Sequence, residues 1–286
     1  MLSKNVETFL GCDAEYRDAN IVLFGAPYDS TTSFRPGTRF ASRTIRAESF
    51  GLETYSPYQD RDLTDCRIFD SGDLELCFGD SSKALEAIEQ RANTILSDGK
   101  LPLMIGGEHL VTLGAVRAAA RHYPDLRIIH FDAHTDLRDD YLGARLSHAT
   151  VIRRCWDILG DDRIYQFGIR SGDRPEFQWA RDHVHTRKFD FEGLGRTVDL
   201  LQDKPVYFTL DLDVLDPSVF PGTGTPEAGG VFFKQLLTAV LTVCSEANVV
   251  GCDVNELCPA YDPTGASTAT ACKIIREMLL ALSARR

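Results

Sequence analysis

Six short apolar runs punctuate the chain, at residues 21–24, 101–105, 126–131, 164–167, 206–210 and 249–252. They are nearly continuous rather than alternating, which predicts strands covered on both faces, as in a parallel sheet. Segments with helical spacing separate them. One opens at Ser81-Ser82, places Leu85, Ile88, Ala92 and Ile95 on one face, and stops at Gly99. Further helices are expected after His109, after His148, from Phe233 to Ala247, and from Ala271 to the end. Residues 28–80 are richer in turns and polar groups and fit the scheme less well. Strand alternating with helix predicts a three-layer α/β/α fold on a mainly parallel sheet. No repeat, low-complexity linker or charge block marks a boundary, so the expectation is a single domain over 1–286.

Composition narrows the function classes. The chain has 286 residues, 43% of them hydrophobic and 26% charged, as in ordinary globular proteins. Its 31 Lys+Arg against 42 Asp+Glu give a net charge of −11, which argues against nucleic acid or anionic lipid as partners. No run of about 18 apolar residues predicts a membrane span, and the first residues lack a signal peptide's apolar core. Eight cysteines form no CxxC pair and no zinc-ribbon spacing. Reduced thiols in a cytoplasmic protein are the expectation.

In open parallel sheets, ligands bind outside the carboxyl ends of the strands. The run 101–105 is followed by Gly106-Gly107-Glu108-His109, and 126–131 by Asp132-Ala133-His134-Thr135-Asp136. The run 206–210 leads into Asp211-Leu212-Asp213, and 249–252 into Asp253-Val254-Asn255-Glu256. Alternate residues of an extended chain point the same way, so Asp132, His134 and Asp136 share a side as long as extended geometry lasts. Asp211 and Asp213 repeat the pattern. Four carboxylates meeting two imidazoles repel strongly unless compensated, and two divalent cations bring the formal charge to zero. An oxygen-rich set with two His and no thiolate suits Mn²⁺ or a related metal better than structural zinc. His130, deeper in its strand, is expected to be a core residue, while His122, His183 and His185 lie in polar surface contexts. Asp216-Pro217 is expected to form a turn.

These motifs resemble the ureohydrolase (arginase/agmatinase) family, most closely its bacterial agmatinases. The resemblance rests on Gly106-Gly107-Glu108-His109, the segment from Asp132 to Asp136, and Ser147-His148-Ala149-Thr150. It extends through the segment from Asp211 to Pro217, the segment from Pro221 to Pro226, and Gly229-Gly230. Gly25-Ala26-Pro27-Tyr28-Asp29 and Ser33-Phe34-Arg35-Pro36-Gly37 look like the family's first loop, and the match runs collinearly over roughly residues 20 to 280. The chain departs from the common pattern at Glu108 and Leu110, either side of the first His, and at Ala41-Ser42, where Gly-Pro is frequent. The first departure leaves the imidazole in place; the second bears on loop shape.

The resemblance implies an arginase-like fold and a binuclear Mn²⁺ site held by His109, Asp132, His134, Asp136, Asp211 and Asp213, with Asp132 and Asp211 bridging. It implies catalytic roles for Asp136, for His148 as a proton shuttle, and for Glu256 as the partner of the substrate guanidinium. It also implies a homo-oligomer, a trimer or hexamer, acting on a small cationic guanidino substrate. The expected reaction converts agmatine to putrescine and urea; 4-guanidinobutyrate, 3-guanidinopropionate and arginine are the alternatives on the same site. The loop after Asp136 lacks the Ser and Asn with which arginases grip an amino acid. It carries Arg138, Asp139, Asp140 and Arg145, able in principle to meet either an ammonium or a carboxylate. Three remote readings fare worse. A haloacid-dehalogenase-type phosphatase leaves His109 and His134 unused, a single-zinc deacetylase leaves His109 unused, and a non-enzymatic metal binder predicts a damaged ligand set.

Overall fold

The computed structural model describes residues 7–285. The first half runs β1 (Ile21–Gly25), α1 (Ala41–Ser49), β2 (Tyr55–Ser56), β3 (Arg61–Asp62), β4 (Ile68–Asp73), α2 (Ser81–Ser97), β5 (Leu101–Ile105) and α3 (Thr112–His122). Next come β6 (Arg127–Phe131), α4 (Val151–Leu159), β7 (Ile164–Ile169), α5 (Arg174–His183), β8 (His185–Lys188) and α6 (Leu194–Leu200). The chain closes with β9 (Pro205–Asp211), α7 (Phe233–Glu246), β10 (Asn248–Asn255) and α8 (Ala266–Ser283). Eight strands make one parallel sheet in the order β4-β1-β5-β10-β9-β6-β7-β8, and β2 and β3 form a separate antiparallel ribbon.

The pleat divides side chains between two cores. Ile21 and Leu23 of β1 enter one, with Ile45, Val198, Val240 and Ile275 from α1, α6, α7 and α8. Val22 and Phe24 enter the other, with Ile88, Val116, Ile152 and Ala180 from α2, α3, α4 and α5. The expected three-layer α/β/α arrangement is therefore present. Each central strand is buried on both faces, so its apolar run needs no alternation. Among the described residues no helix is long and apolar enough to cross a membrane.

The six strands expected from apolar runs all exist; the two further strands of the large sheet are its edges, and the β2–β3 ribbon was not anticipated either. β4 (IFDSGD) and β8 (HTRK) each have one neighbouring strand and carry polar side chains, and β4 is bridged on its other side only by the short segment around Asp13. Helices α1, α5 and α6 were also not anticipated; they are short, and α5 announces itself only through a capping box between Asp173 and Glu176. Helix α8 starts at Ala266 rather than Ala271, because Gly265 (φ 75°) turns the chain into it in the left-handed region.

The polar stretch 28–80 is organised by a buried cation. Arg46 of α1 holds Asp70 of β4 through Nε (2.8 Å) and Nη2 (2.9 Å) and also pairs with Asp73. Asp70 accepts the Phe9 N–H as well, which pins the N-terminal segment to the edge strand. Arg46→Met strands the buried Asp70 carboxylate without its counter-charge. The expected loss of stability is about 3 kcal/mol, read as a lower urea midpoint with an unchanged slope.

Candidate active site

The expected ligands come together where the four central strands end. β5, β10, β9 and β6 are neighbours, so the segments that follow them share one crevice. Glycine makes the approach possible. A Cβ at Gly106 would lie 1.8 Å from Asn255 Oδ1, and one at Gly107 would lie 2.0 Å from the Tyr28 carbonyl oxygen. The chain leaving β5 thus passes against β10 and β1 and delivers His109 in the turn before α3.

His109 is buried, and its Nδ1 faces Asp132 Oδ2, Asp136 Oδ2 and Asp211 Oδ2 at 3.0, 3.1 and 3.2 Å. No aligned hydrogen bond reaches that nitrogen. Its Nε2 lies 2.9 Å from Thr209 Oγ1, and Thr209 donates to Asp253 Oδ1 at 2.6 Å. The hydroxyl proton is thereby committed to Asp253, so Nε2 carries the imidazole proton and Nδ1 presents a lone pair toward three carboxylates. His134 Nδ1 lies 3.0 Å from Asp213 Oδ2 and 3.5 Å from Asp132 Oδ1. Asp132 therefore spans two half-sites, Oδ2 toward His109 and Oδ1 toward His134. Asp211 faces the first half-site through Oδ2, while its Oδ1 accepts the Asp213 N–H at 2.8 Å.

The reason these groups converge differs in part from the alternation expected. β6 stops at Phe131, and Asp136 sits at φ 53°, where the extended path has already turned. The Asp136 carbonyl accepts the N–H groups of Ile152 and Arg153, locking this turn to the start of α4. Glu256, at φ 66°, is a second non-glycine residue in the left-handed region. Such conformations persist only where surrounding contacts enforce them. For Glu256 the enforcing contacts are its N–H to the Gly107 carbonyl (3.0 Å) and the His109 N–H to its Oε1 (2.7 Å).

The charges are not independently tolerable. Burial, then Asp132, pushes Asp136 up to about 7. Burial, then Asp213 and Asp132, pushes Asp211 well above the usual range. Burial also pushes Asp132 up, but the imidazoles of His109, His130 and His134 outweigh it and hold it well below. Glu256 is raised by burial and by Glu108. A carboxylate cluster that cannot ionise fully, facing an unpartnered buried nitrogen, is a donor set that fits cations.

His130 is buried as expected and acts from behind the ligands. Gln166 Nε2 donates to its Nδ1 (3.0 Å) and to the Thr135 carbonyl (2.8 Å), so His130 Nε2–H donates to Asp132 Oδ2 (2.8 Å). His122 and His185 are exposed and His183 is half-buried against Trp179. Asp216 forms the expected turn, accepting from Ser218, Gly229 and Gly230.

A cavity of about 270 Å³ opens over these residues, lined by His109, His134, Asp136, Asp211, Asp213 and Glu256. His148 joins them from the turn before α4, where Ser147 caps it and its N–H reaches Thr31 Oγ1 at 3.1 Å. Of the four loop charges, Arg138 alone lines the cavity, and it pairs with Asp173 (3.0 Å) and Glu176 (3.5 Å). Asp139 turns to Arg154, Arg145 to Asp157, and Asp140 caps Gly143. Thr209, Asp173 and Glu176 escaped the reading of the sequence, and Asp253, read there as following the strand, lies inside β10, which runs on to Asn255. Asp253 and Thr209 sit inside strands, and the capping box D-R-P-E is the signal that would have flagged the other two.

Comparison with known proteins follows the same lines. A family model described as the arginase family matches residues 19–281. An agmatinase of Bacillus subtilis is 49% identical over 277 residues, covering 96% of each chain. A guanidinobutyrase of Pseudomonas aeruginosa is 34% identical, covering 94% of this chain and 88% of its own. A crystal structure from Clostridium difficile, ascribed to an agmatinase, superposes with a TM-score of 0.93 at 50% identity, covering 95% and 99% of the two chains.

Thr209→Val breaks the link between His109 Nε2 and the buried Asp253. The expected cost is about 1–3 kcal/mol in unfolding free energy and a roughly tenfold weaker metal affinity, measured by denaturation and competitive chelation. Unchanged values in both would remove this link from the account.

Proposed function

The chain belongs to the arginase family, and we propose that it is a binuclear manganese enzyme converting agmatine and water to putrescine and urea. It is an arginase-family ureohydrolase, a hydrolase of guanidino C–N bonds. The observation that carries the proposal is the pair of half-sites joined by Asp132, one of them built around the unpartnered His109 Nδ1. His109, Asp132, Asp136 and Asp211 would hold one ion, and His134, Asp213 and Asp132 the other, with Asp211 shared. Two Mn²⁺ ions would lower the pKa of a water and so supply a nucleophile at neutral pH. The ligand chemistry, four carboxylates and two imidazoles, is what favours manganese.

A guanidinium carbon is a weak electrophile, because its charge is spread over three nitrogens. Positioning therefore matters. Glu256 lines the cavity and is anchored on one oxygen by the His109 N–H, which leaves the other to accept from the planar substrate and orient it. Asp136 is the carboxylate placed to take and return a proton during C–N cleavage. His148, at the cavity wall, is placed to pass protons between the chamber and solvent.

The tail of the substrate meets Arg138, Asp173 and Glu176, which together carry one net negative charge. That balance favours an ammonium-ended chain and supports agmatine. Arg138 in the lining is the observation that favours 4-guanidinobutyrate as the second reading. We also read the chain as one domain over 1–286, working in the cytoplasm. The acidic balance and six core-buried cysteines out of eight support that setting. A trimer or hexamer is proposed on the resemblance alone.

The deciding assay supplies Mn²⁺ and measures urea from agmatine, 4-guanidinobutyrate, 3-guanidinopropionate and arginine, with agmatine expected to give the highest kcat/KM. His109→Ala is expected to reduce bound metal from two equivalents to one by elemental analysis; retention of both would overturn the ligand scheme. Glu256→Gln is expected to lower kcat/KM about 100-fold with both metals retained, and an unaltered kcat/KM would remove Glu256 from it.

A further inference from the structure

The loop that follows β1 reaches across the crevice to His148 twice. Thr31 Oγ1 accepts the His148 backbone N–H at 3.1 Å and donates to Glu108 Oε1 at 2.6 Å. Ser33 Oγ, two residues on, lies 3.2 Å from His148 Nε2. The first contact holds the backbone, so the second is not needed to keep the turn in place. Ser33 is exposed and lines the mouth of the cavity, whereas His148 is half-buried in its wall. The hydroxyl therefore sits between an imidazole that faces the reaction chamber and open solvent.

We propose that Ser33 is a positioning residue that fixes the His148 ring and relays its proton to bulk water. This rests on the reading of His148 as the proton carrier of a guanidino hydrolase. A hydroxyl is suited to the task because it donates one hydrogen bond and accepts two. When the ring is doubly protonated, Nε2–H donates to Oγ. As Oγ takes that proton it releases its own to water, so the imidazole and the serine both end neutral and solvent gains the proton. Return of a proton follows the same path in reverse.

The surroundings favour a ring that does not keep its proton. Burial is the largest influence and holds His148 down at about 4, against the opposing pull of the Thr31 backbone and the Asp132 carboxylate. Facing it from the other elements are the Tyr141 ring, edge-on at 5.8 Å, and Ser147, 3.4 Å from Nδ1. A neutral imidazole in these surroundings keeps an accepted proton only transiently, so it needs a ready route for its exit.

The test uses the manganese-loaded protein as wild type, Ser33→Ala and Ser33→Thr. Ser33→Ala is expected to lower kcat on agmatine about tenfold with KM within twofold, and to enlarge the solvent deuterium isotope effect on kcat. Imidazole buffer is expected to restore the rate, and Ser33→Thr to retain it. A readout independent of turnover is acylation of His148 by diethylpyrocarbonate, followed by mass spectrometry. Loss of the Ser33 contact is expected to speed modification several-fold. If the wild type releases urea and Ser33→Ala leaves kcat, isotope effect and acylation rate unaltered, the relay is overturned. If no guanidino compound yields urea, the functional reading fails, while the acylation rates still decide whether Ser33 holds the ring.

Discussion

Four carboxylates and two imidazoles share a space only a few ångströms across, away from water, and the rest of the structure is arranged around that fact. Two like charges 4 Å apart cost about 4 kcal/mol at the effective dielectric of a protein site. The scaffold meets part of this cost with fixed dipoles. Backbone N–H groups of Ala133, His134 and Asp213 point at Asp213, Asp132 and Asp211, and the His109 N–H points at Glu256. His130 adds a donor to Asp132 from inside the strand layer. The negative charge that the dipoles leave uncompensated is what a pair of divalent cations would neutralise. The unpartnered His109 Nδ1 marks where one of them would be held.

That arrangement demands rigid support, and the sheet supplies it in layers. Behind His109 runs a buried polar set in which Tyr207 and Thr209 donate to Asp253 and Asn255 bridges to Thr112. These groups occupy strand positions that an ordinary core would fill with aliphatic side chains. Their presence costs hydrophobic burial, and a half-satisfied network of this kind would be worse than an apolar core. Each carboxylate oxygen of Asp253 has a donor, and within the set Asn255 Oδ1 is the acceptor left without a partner. The effect of the set is to fix one imidazole nitrogen as the protonated one and so dictate what the other can bind.

The sequence revealed the fold and the floor of the site for one physical reason and hid the remainder for another. Strands sandwiched between helices must be apolar on both faces, so β1, β5, β6, β7, β9 and β10 stand out as uninterrupted runs, and the polar residues after them are conspicuous by contrast. The edge strands β4 and β8 have no such pressure and read as loop. Thr209, and the role of Asp253 behind the site, are hidden for the opposite reason. Both residues lie within the strands, where a polar residue gives no hint of which face it serves. Asp136 was found by a spacing argument whose geometry holds only to His134; a left-handed turn tied to α4, rather than strand alternation, brings its carboxylate to His109. The tail region was the least legible. Four charges in one loop looked equivalent, and pairing with Arg154, Asp157 and Gly143 turned three of them away.

This division has a consequence for how such a chain acquires specificity. The groups that face the guanidino end stand on strand termini or on turns gripped by neighbouring strands, where a shift of even a fraction of an ångström disturbs several partners at once. The groups proposed to meet the tail stand on the loop after Asp136 and at the start of α5, where Arg138 pairs with Asp173 and Glu176. Altering one charge there changes the net charge lining that part of the cavity without touching the floor. Relatives of 49% and 34% identity named for agmatine and for guanidinobutyrate fit that separation. On the proposed reading, cleaving the guanidino group is the work of the strand ends, and the molecule that carries it is chosen by the loop after Asp136 and the start of α5. The one net negative charge that Arg138, Asp173 and Glu176 leave between them is what the proposed preference for an ammonium rests on.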